Sequence, residues 1–171
     1  KIYNIGENRI QETEIKLKNY TKPPEMRLHL IGHLQKNKVR KAVKIYDYIQ
    51  TVDSINLAKK INKIAREEKK IQKIFLQINI GNIENRHGFL TNKTVEAVNK
   101  INLYKNISIK GVMIIPPLTD NKKKYLNYFK EAKRIQTKIK TKIKTCTNLS
   151  MGMSNDYVDA IKEGATHIRI G

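Results

Sequence analysis

The feature that most constrains this chain is an alternation. Short runs rich in β-branched residues recur along its 171 residues, and between each pair lies a stretch with helical spacing or helical length. Lys1–Ile5, Arg27–Ile31, Tyr46–Val52, Ile74–Ile80, Ile107–Ile115, Thr147–Ser150 and Thr166–Ile170 read as strands. Between them the spacing predicts six helices. One runs from Glu7 to about Leu17 and one lies near Lys36–Lys44. A third, capped by Asp53 or Ser54, carries Leu57, Ala58, Ile61, Ile64 and Ala65 at helical period. Thr91 can cap a fourth, with Val95, Val98 and Ile101. The longest follows Asp120, with a stripe of Leu126, Phe129, Ala132, Ile135, Ile139 and Ile143. Ser154 can cap the last, which carries Val158 and Ile161 and ends with Gly164 at its C′ position. Strands that alternate with helices argue a parallel sheet with crossover helices, either open and doubly wound or closed as a barrel. No GxGxxG follows a strand and no GxxxxGK[ST] loop is present, which disfavours a dinucleotide or nucleotide fold.

Composition narrows the class. No apolar run approaches the roughly 18 residues of a membrane helix, and Lys1–Glu7 lacks the apolar segment of a signal peptide. Cys146 is the one cysteine, so no disulfide forms within the chain, and the cytoplasm is the simplest compartment. No motif surrounds Cys146, which reads as structural. The formal charge is +20. Seven of the 35 basic residues are arginine, which leaves 28 lysines, scattered along the chain with no aromatic RNA-reading motif. Nucleic-acid binding is therefore not expected.

In a parallel barrel the chemistry sits on the loops after the strands. The unusual residues fall there: Gly6–Arg9, Gly32–Gln35, Asp53, the polar loop Gly81–Gly88, Pro116–Pro117, Ser150–Ser154 and Arg169–Gly171. Ser154 stands at a helix start, where free N–H groups favour a phosphate; an ordinary N-cap is the alternative. Gly152 would let a ligand approach the backbone. Arg169, if it points inward, needs an anion or an acceptor. His29 and His33 lie four apart, but His29 belongs to a strand and Gly32 breaks the segment, so no metal site is expected. His87 and His167 have no evident partners.

At these same residues the chain resembles a known family. The stretches are Ile5-Gly6-Glu7-Asn8-Arg9-Ile10-Gln11-Glu12, His29-Leu30-Ile31-Gly32-His33-Leu34-Gln35-Lys36-Asn37-Lys38, Thr51-Val52-Asp53-Ser54 and Gly111-Val112-Met113. They continue as Leu149-Ser150-Met151-Gly152-Met153-Ser154-Asn155-Asp156, Glu163-Gly164-Ala165-Thr166 and Arg169-Ile170-Gly171. In that order they resemble the pyridoxal 5′-phosphate (PLP) homeostasis proteins, the small barrels similar to the N-terminal domain of alanine racemase.

The resemblance implies an α/β fold, a parallel (β/α)8 TIM-type barrel of PLP fold type III, with residues 1–171 as one barrel domain lacking the first βα unit and the last helix. It implies PLP as cofactor, with Ser154 and the backbone near Gly171 on the phosphate, Arg169 facing the pyridine nitrogen, and Asn8 and Met113 near the ring. The lysine that forms the family's Schiff base is expected upstream of Lys1. The implied role is a PLP carrier in vitamin B6 and amino-acid homeostasis with no assigned catalytic residue, a cytoplasmic monomer that hands PLP to apo-enzymes. The alternative is a PLP-dependent amino-acid racemase-like enzyme.

Overall fold

Every strand pairing in the computed structural model, which describes residues 2–171, is parallel. In chain order the elements are β1 (Asn4–Glu7), α1 (Ile10–Asn19), β2 (Arg27–Leu30), α2 (Val39–Ile45), β3 (Tyr48–Val52) and α3 (Ile55–Glu67). There follow β4 (Gln72–Asn79), β5 (Phe89–Leu90), α4 (Thr94–Ile101), β6 (Ile107–Ile114), α5 (Lys122–Lys142), β7 (Asn148–Met153), α6 (Tyr157–Lys162) and β8 (His167–Arg169). Seven strands form one path, β1-β2-β3-β4-β6-β7-β8, and the two-residue β5 pairs with the end of β4. The path curls into a nearly closed barrel: the rings of His29 on β2 and His167 on β8 lie 5.7 Å apart, and β1 and β8 line one pocket together.

The helical stripes build the outer core. On α3, Leu57, Ala58, Ile61, Ile64 and Ala65 are all buried, and Ser54 caps the helix by accepting from the Leu57 N–H at 3.2 Å. On α5, Phe129, Ala132, Ile135 and Ile139 are buried, and Gln136 donates to the Cys146 carbonyl at 2.7 Å. Alternate strand residues, such as Ile74, Leu76 and Ile78 on β4, pack into the same layer. Each such aliphatic side chain costs about 2–5 kcal/mol when truncated to Ala.

Several local expectations shift. The first strand runs Asn4–Glu7 rather than Lys1–Ile5, and Lys1 lies outside the described residues. Thr91 opens a 3-10 turn rather than α4, because its N–H and hydroxyl are both taken by Asn82 Oδ1. The long helix is capped by Asn121, whose Oδ1 accepts from the Lys124 N–H at 3.0 Å. Ser154 does not cap α6. That helix begins three residues later, after Asp156, whose Oδ1 takes the Met153 N–H. Val158 and Ile161 remain about half exposed, and Ala160 is the residue of α6 that is buried. Its end does follow the sequence: Gly164 has φ +90°, its N–H reaches the Ile161 carbonyl and the Ala165 N–H reaches that of Ala160, the paired closure of a Schellman turn.

Candidate cofactor site

The residues that alternate with the outer core turn inward, and those of the floor are polar or aromatic. At the floor, His29 stacks on Tyr48 with ring centroids 4.5 Å apart, and Phe75 meets both Tyr48 and His167 edge-on. His29 donates from Nε2 to Asn4 Oδ1 at 3.0 Å and accepts at Nδ1 from Gln50 Nε2 at 2.9 Å. Both ring nitrogens are therefore served by a neutral imidazole. Burial, reinforced by the neighbouring His167, pushes the His29 pKa down to about 4, against a weaker opposing pull from Asp47. Burial lowers His167 as well.

Above this floor stands Arg169. Its guanidinium donates to Ser150 Oγ and to the Ile114 carbonyl, each at 2.8 Å. Both acceptors are uncharged, and burial holds the group down to about 10, which still leaves it cationic at neutral pH. The arginine thus ties the carboxyl ends of β6, β7 and β8 together and sets a positive charge beside a small cavity of about 130 Å³, lined among others by Asn4, Gly6, His29, Gln50 and His167.

A larger cleft of about 720 Å³ lies over the loops after β6 and β7, lined by Tyr125, Met153, Ser154, Asn155 and Asp156 among others. Asp120, Asp156 and Asp159 share it with one ammonium, Lys122, so its field does not select an anion. An anion received there would be held by N–H and O–H groups of the β7–α6 turn. Asp156 is already engaged: the Tyr125 hydroxyl donates to its second oxygen.

The structure brings three of the five residues singled out in the sequence to neighbouring positions. Met113 is fully buried on β6 and pairs in register with Ser150, the anchor of Arg169. Met153 pairs in register with Arg169, and Ser154 follows it, exposed on the turn. Asn8 sits apart, exposed after β1, in a cleft with Arg9, His33 and Gln35. Gly171 is exposed, with open space where a Cβ would stand. Gly152 serves packing rather than ligand approach: with φ +94°, a Cβ there would lie 2.6 Å from that of Ala160. Ser150, Gln50 and Tyr125 were not legible as partners, because nothing in their local sequence marks which face of a buried strand or helix they occupy.

The alanine racemase N-terminal domain model matches residues 2–171. The chain belongs to that family. It is 37% identical over 171 residues to the pyridoxal phosphate homeostasis protein of a Synechocystis species, covering 99% of this chain and 78% of that protein. The protein of the same name from Aquifex aeolicus is 34% identical and is matched over 100% of this chain and 74% of its own length. Among solved structures, PipY of Synechococcus elongatus with PLP bound superposes with a TM-score of 0.88 at 34% identity, over 97% of this chain and 78% of that one. An alanine racemase of Clostridium difficile superposes at 0.81 with 18% identity, over 100% of this chain and 43% of that one, which fixes the barrel fold. Within the family, this chain stands with the pyridoxal phosphate homeostasis proteins.

Proposed function

We propose that this chain binds PLP at the carboxyl-terminal mouth of its barrel and holds it for hand-over in vitamin B6 and amino-acid homeostasis, without turnover of its own. The observation that carries this reading is Arg169: a half-buried cation at the mouth whose two protein partners are neutral, with further N–H groups to offer a ligand. When bound, PLP supplies an electron-withdrawing pyridine ring. A guanidinium beside the ring nitrogen disfavours protonation there, because two adjacent cations repel, and an unprotonated ring withdraws electrons weakly. The chain's own residues bind and orient. Ser154 and the neighbouring N–H groups take the phosphate, with the backbone near Gly171; Met113 lies beneath the ring, and Asn8, set apart after β1, reaches it from the rim of the mouth. Ser150 fixes the guanidinium, and the aromatic floor of Tyr48, Phe75 and His167 closes the interior below.

No lysine among the described residues lines the cavity beside Arg169. Lys73, whose ammonium lies 5.2 Å from the centroid of the Tyr48 ring, sits at the amino end of β4, away from the mouth. We therefore do not assign the covalent anchor to residues 2–171; a borohydride-fixed label on any of their lysines would overturn this. No helix of the described residues is long and apolar enough to cross a membrane. Cys146 is buried, its thiol pushed up to about 12, which supports a structural role and suits a cytoplasmic protein. Apo-enzymes are the proposed acceptors, served by a monomer.

Titration of the purified protein with PLP, followed by visible absorbance, tests the reading. Saturable binding is expected, weakened by about one to two decades in Arg169→Ala, the worth of a hydrogen bond from a charged donor. Unchanged affinity in that variant, or robust turnover of a common amino acid, would overturn it; the second result would favour the racemase-like alternative.

A further inference from the structure

A second cluster converges on the loops after β2, β3 and β4, and it uses none of the residues assigned to PLP. His87, without a partner in the sequence, stacks on His33 with ring centroids 3.8 Å apart and planes 18° from parallel. Nδ1 of His33 lies 3.5 Å from Asp53 Oδ2, and Nδ1 of His87 lies 3.3 Å from the same oxygen. One donor atom of each residue falls within 4.8 Å of the others.

These separations are long for N–H···O hydrogen bonds, which centre near 2.9–3.0 Å. The two Nδ1–Oδ2 separations match another geometry, which the imidazoles reach by swinging out of their stack, because an ion bound at a ring nitrogen lies in the plane of that ring. Around a tetrahedral ion with bonds of about 2.0–2.1 Å, two ligand atoms stand roughly 3.4 Å apart. We propose that His33, Asp53 and His87 form a binding site for a divalent metal ion of the zinc class, with a fourth position open to the adjoining cleft.

The backbone supports this site on each side. Thr51 Oγ1 donates to the Gly32 carbonyl at 2.7 Å, and a Cβ on Gly32 would lie 2.1 Å from the Asn8 carbonyl oxygen, so the chain at His33 is closely held. Asn79 clamps the loop before His87: its Oδ1 accepts from the Ile83 N–H at 3.0 Å, and its Nδ2 donates to the Ile83 carbonyl at 2.7 Å. Gly88 packs so tightly on β4 that a Cβ would stand 2.5 Å from the Asn79 nitrogen. The imidazoles are therefore presented by fixed backbone, and the side chain of Asp53 is 12% exposed against 43% and 57% for His33 and His87. A largely covered carboxylate under two accessible imidazoles leaves a route in for the ion.

Donor chemistry sets the class. Two imidazoles and one carboxylate suit zinc, cobalt, nickel or ferrous iron, and not calcium or magnesium, which prefer oxygen ligands. Three protein ligands with an open position describe a reactive or exchangeable site rather than a closed structural one. Lys36 and Arg86 line the same cleft of about 380 Å³, so the open position favours water or an anionic co-ligand.

The test is equilibrium dialysis of the chelator-stripped protein against zinc, with cobalt(II) absorbance as a second reading. A single ion per chain is expected, with the intense visible bands of tetrahedral cobalt. His87→Ala and Asp53→Asn should each weaken binding by at least about tenfold. His87 lies on an exposed loop, so its variant should keep the parent melting temperature without metal, and Asp53→Asn tests the same centre through a different element. Absence of stoichiometric binding at micromolar metal, or binding unchanged in both variants, would overturn the proposal. The outcome is independent of whether the protein binds PLP.

Discussion

Mild acid should destabilise this protein from its interior. His29 is 3% exposed, and its pKa lies near 4 instead of 6.5, through burial first and His167 second. Between those two values the unfolded chain binds a proton that the folded chain refuses. The stability held above pH 6.5 is therefore lost as the pH falls through that window. At 1.36 kcal/mol per unit, the full loss is about 3 kcal/mol, with about 1.4 kcal/mol already gone near pH 5.5. His167, lowered by burial, adds to the loss with the same sign. That is a large share of a typical domain stability of about 5–15 kcal/mol. Asp47 acts in a separate window. Burial raises its pKa, but the Lys22 ammonium and the Leu28 N–H outweigh this, so it is lowered from 3.8 and its contribution fades only in stronger acid. Urea unfolding followed by circular dichroism at about pH 7.5 and about pH 5.5 measures the difference. The reasoning fails if the unfolding free energy is the same at both pH values, or if His29→Gln shows as large a drop as the parent.

Two further outcomes follow from the β7–α6 turn. Ser154→Ala should lower PLP affinity by about one to two decades, the worth of one hydrogen bond to a charged group, and should leave the melting temperature of the free protein unchanged because Ser154 is exposed and caps no helix; unchanged affinity removes Ser154 from the phosphate site. Gly152→Ala should destabilise by about 2–4 kcal/mol, from a positive φ and a Cβ driven against Ala160; a thermal melt within a degree of the parent would refute the packing account.

How much of this was legible in the sequence depended on whether one face or two faces of an element were buried. The α3 stripe is unambiguous because its other face is solvated, and Leu57, Ala58, Ile61, Ile64 and Ala65 are all buried as its period requires. On β4 the periodicity fails. Ile74, Leu76 and Ile78 pack outward against helices while Phe75 joins the interior aromatic cluster, so both faces are apolar and the run does not say which side is which. Caps were misplaced where a competing acceptor exists nearby. Ser154 does not cap α6, and the carboxylate of Asp156, which precedes the helix, takes the Met153 N–H and the Tyr125 hydroxyl instead of an N–H of the helix. The His33–Asp53–His87 cluster left no local trace, since its members come from three separate loops and only the parallel pairing of β2, β3 and β4 makes them neighbours.

The interior also explains why Arg169 can be tolerated where it is. An isolated buried cation is costly, and a second charge of the same sign nearby would add to that cost. Both interior histidines are pushed toward the neutral state, and the His29 ring is fixed as a neutral relay between Gln50 and Asn4. The floor of the barrel is thus uncharged, and Arg169 is the cation that stands over it. Protonating His29 or His167 would set positive charge beneath Arg169 as well as loosen the floor. In the proposed carrier role, acid would then act twice: it would weaken the fold, and it would raise the positive potential at the place where an unprotonated ring nitrogen is to be received. PLP affinity measured from about pH 5.5 down to about pH 4, where the folded His29 takes up its proton, should therefore change in parent protein and change less in His29→Gln; identical pH profiles would separate the floor of the barrel from its mouth and refute this coupling.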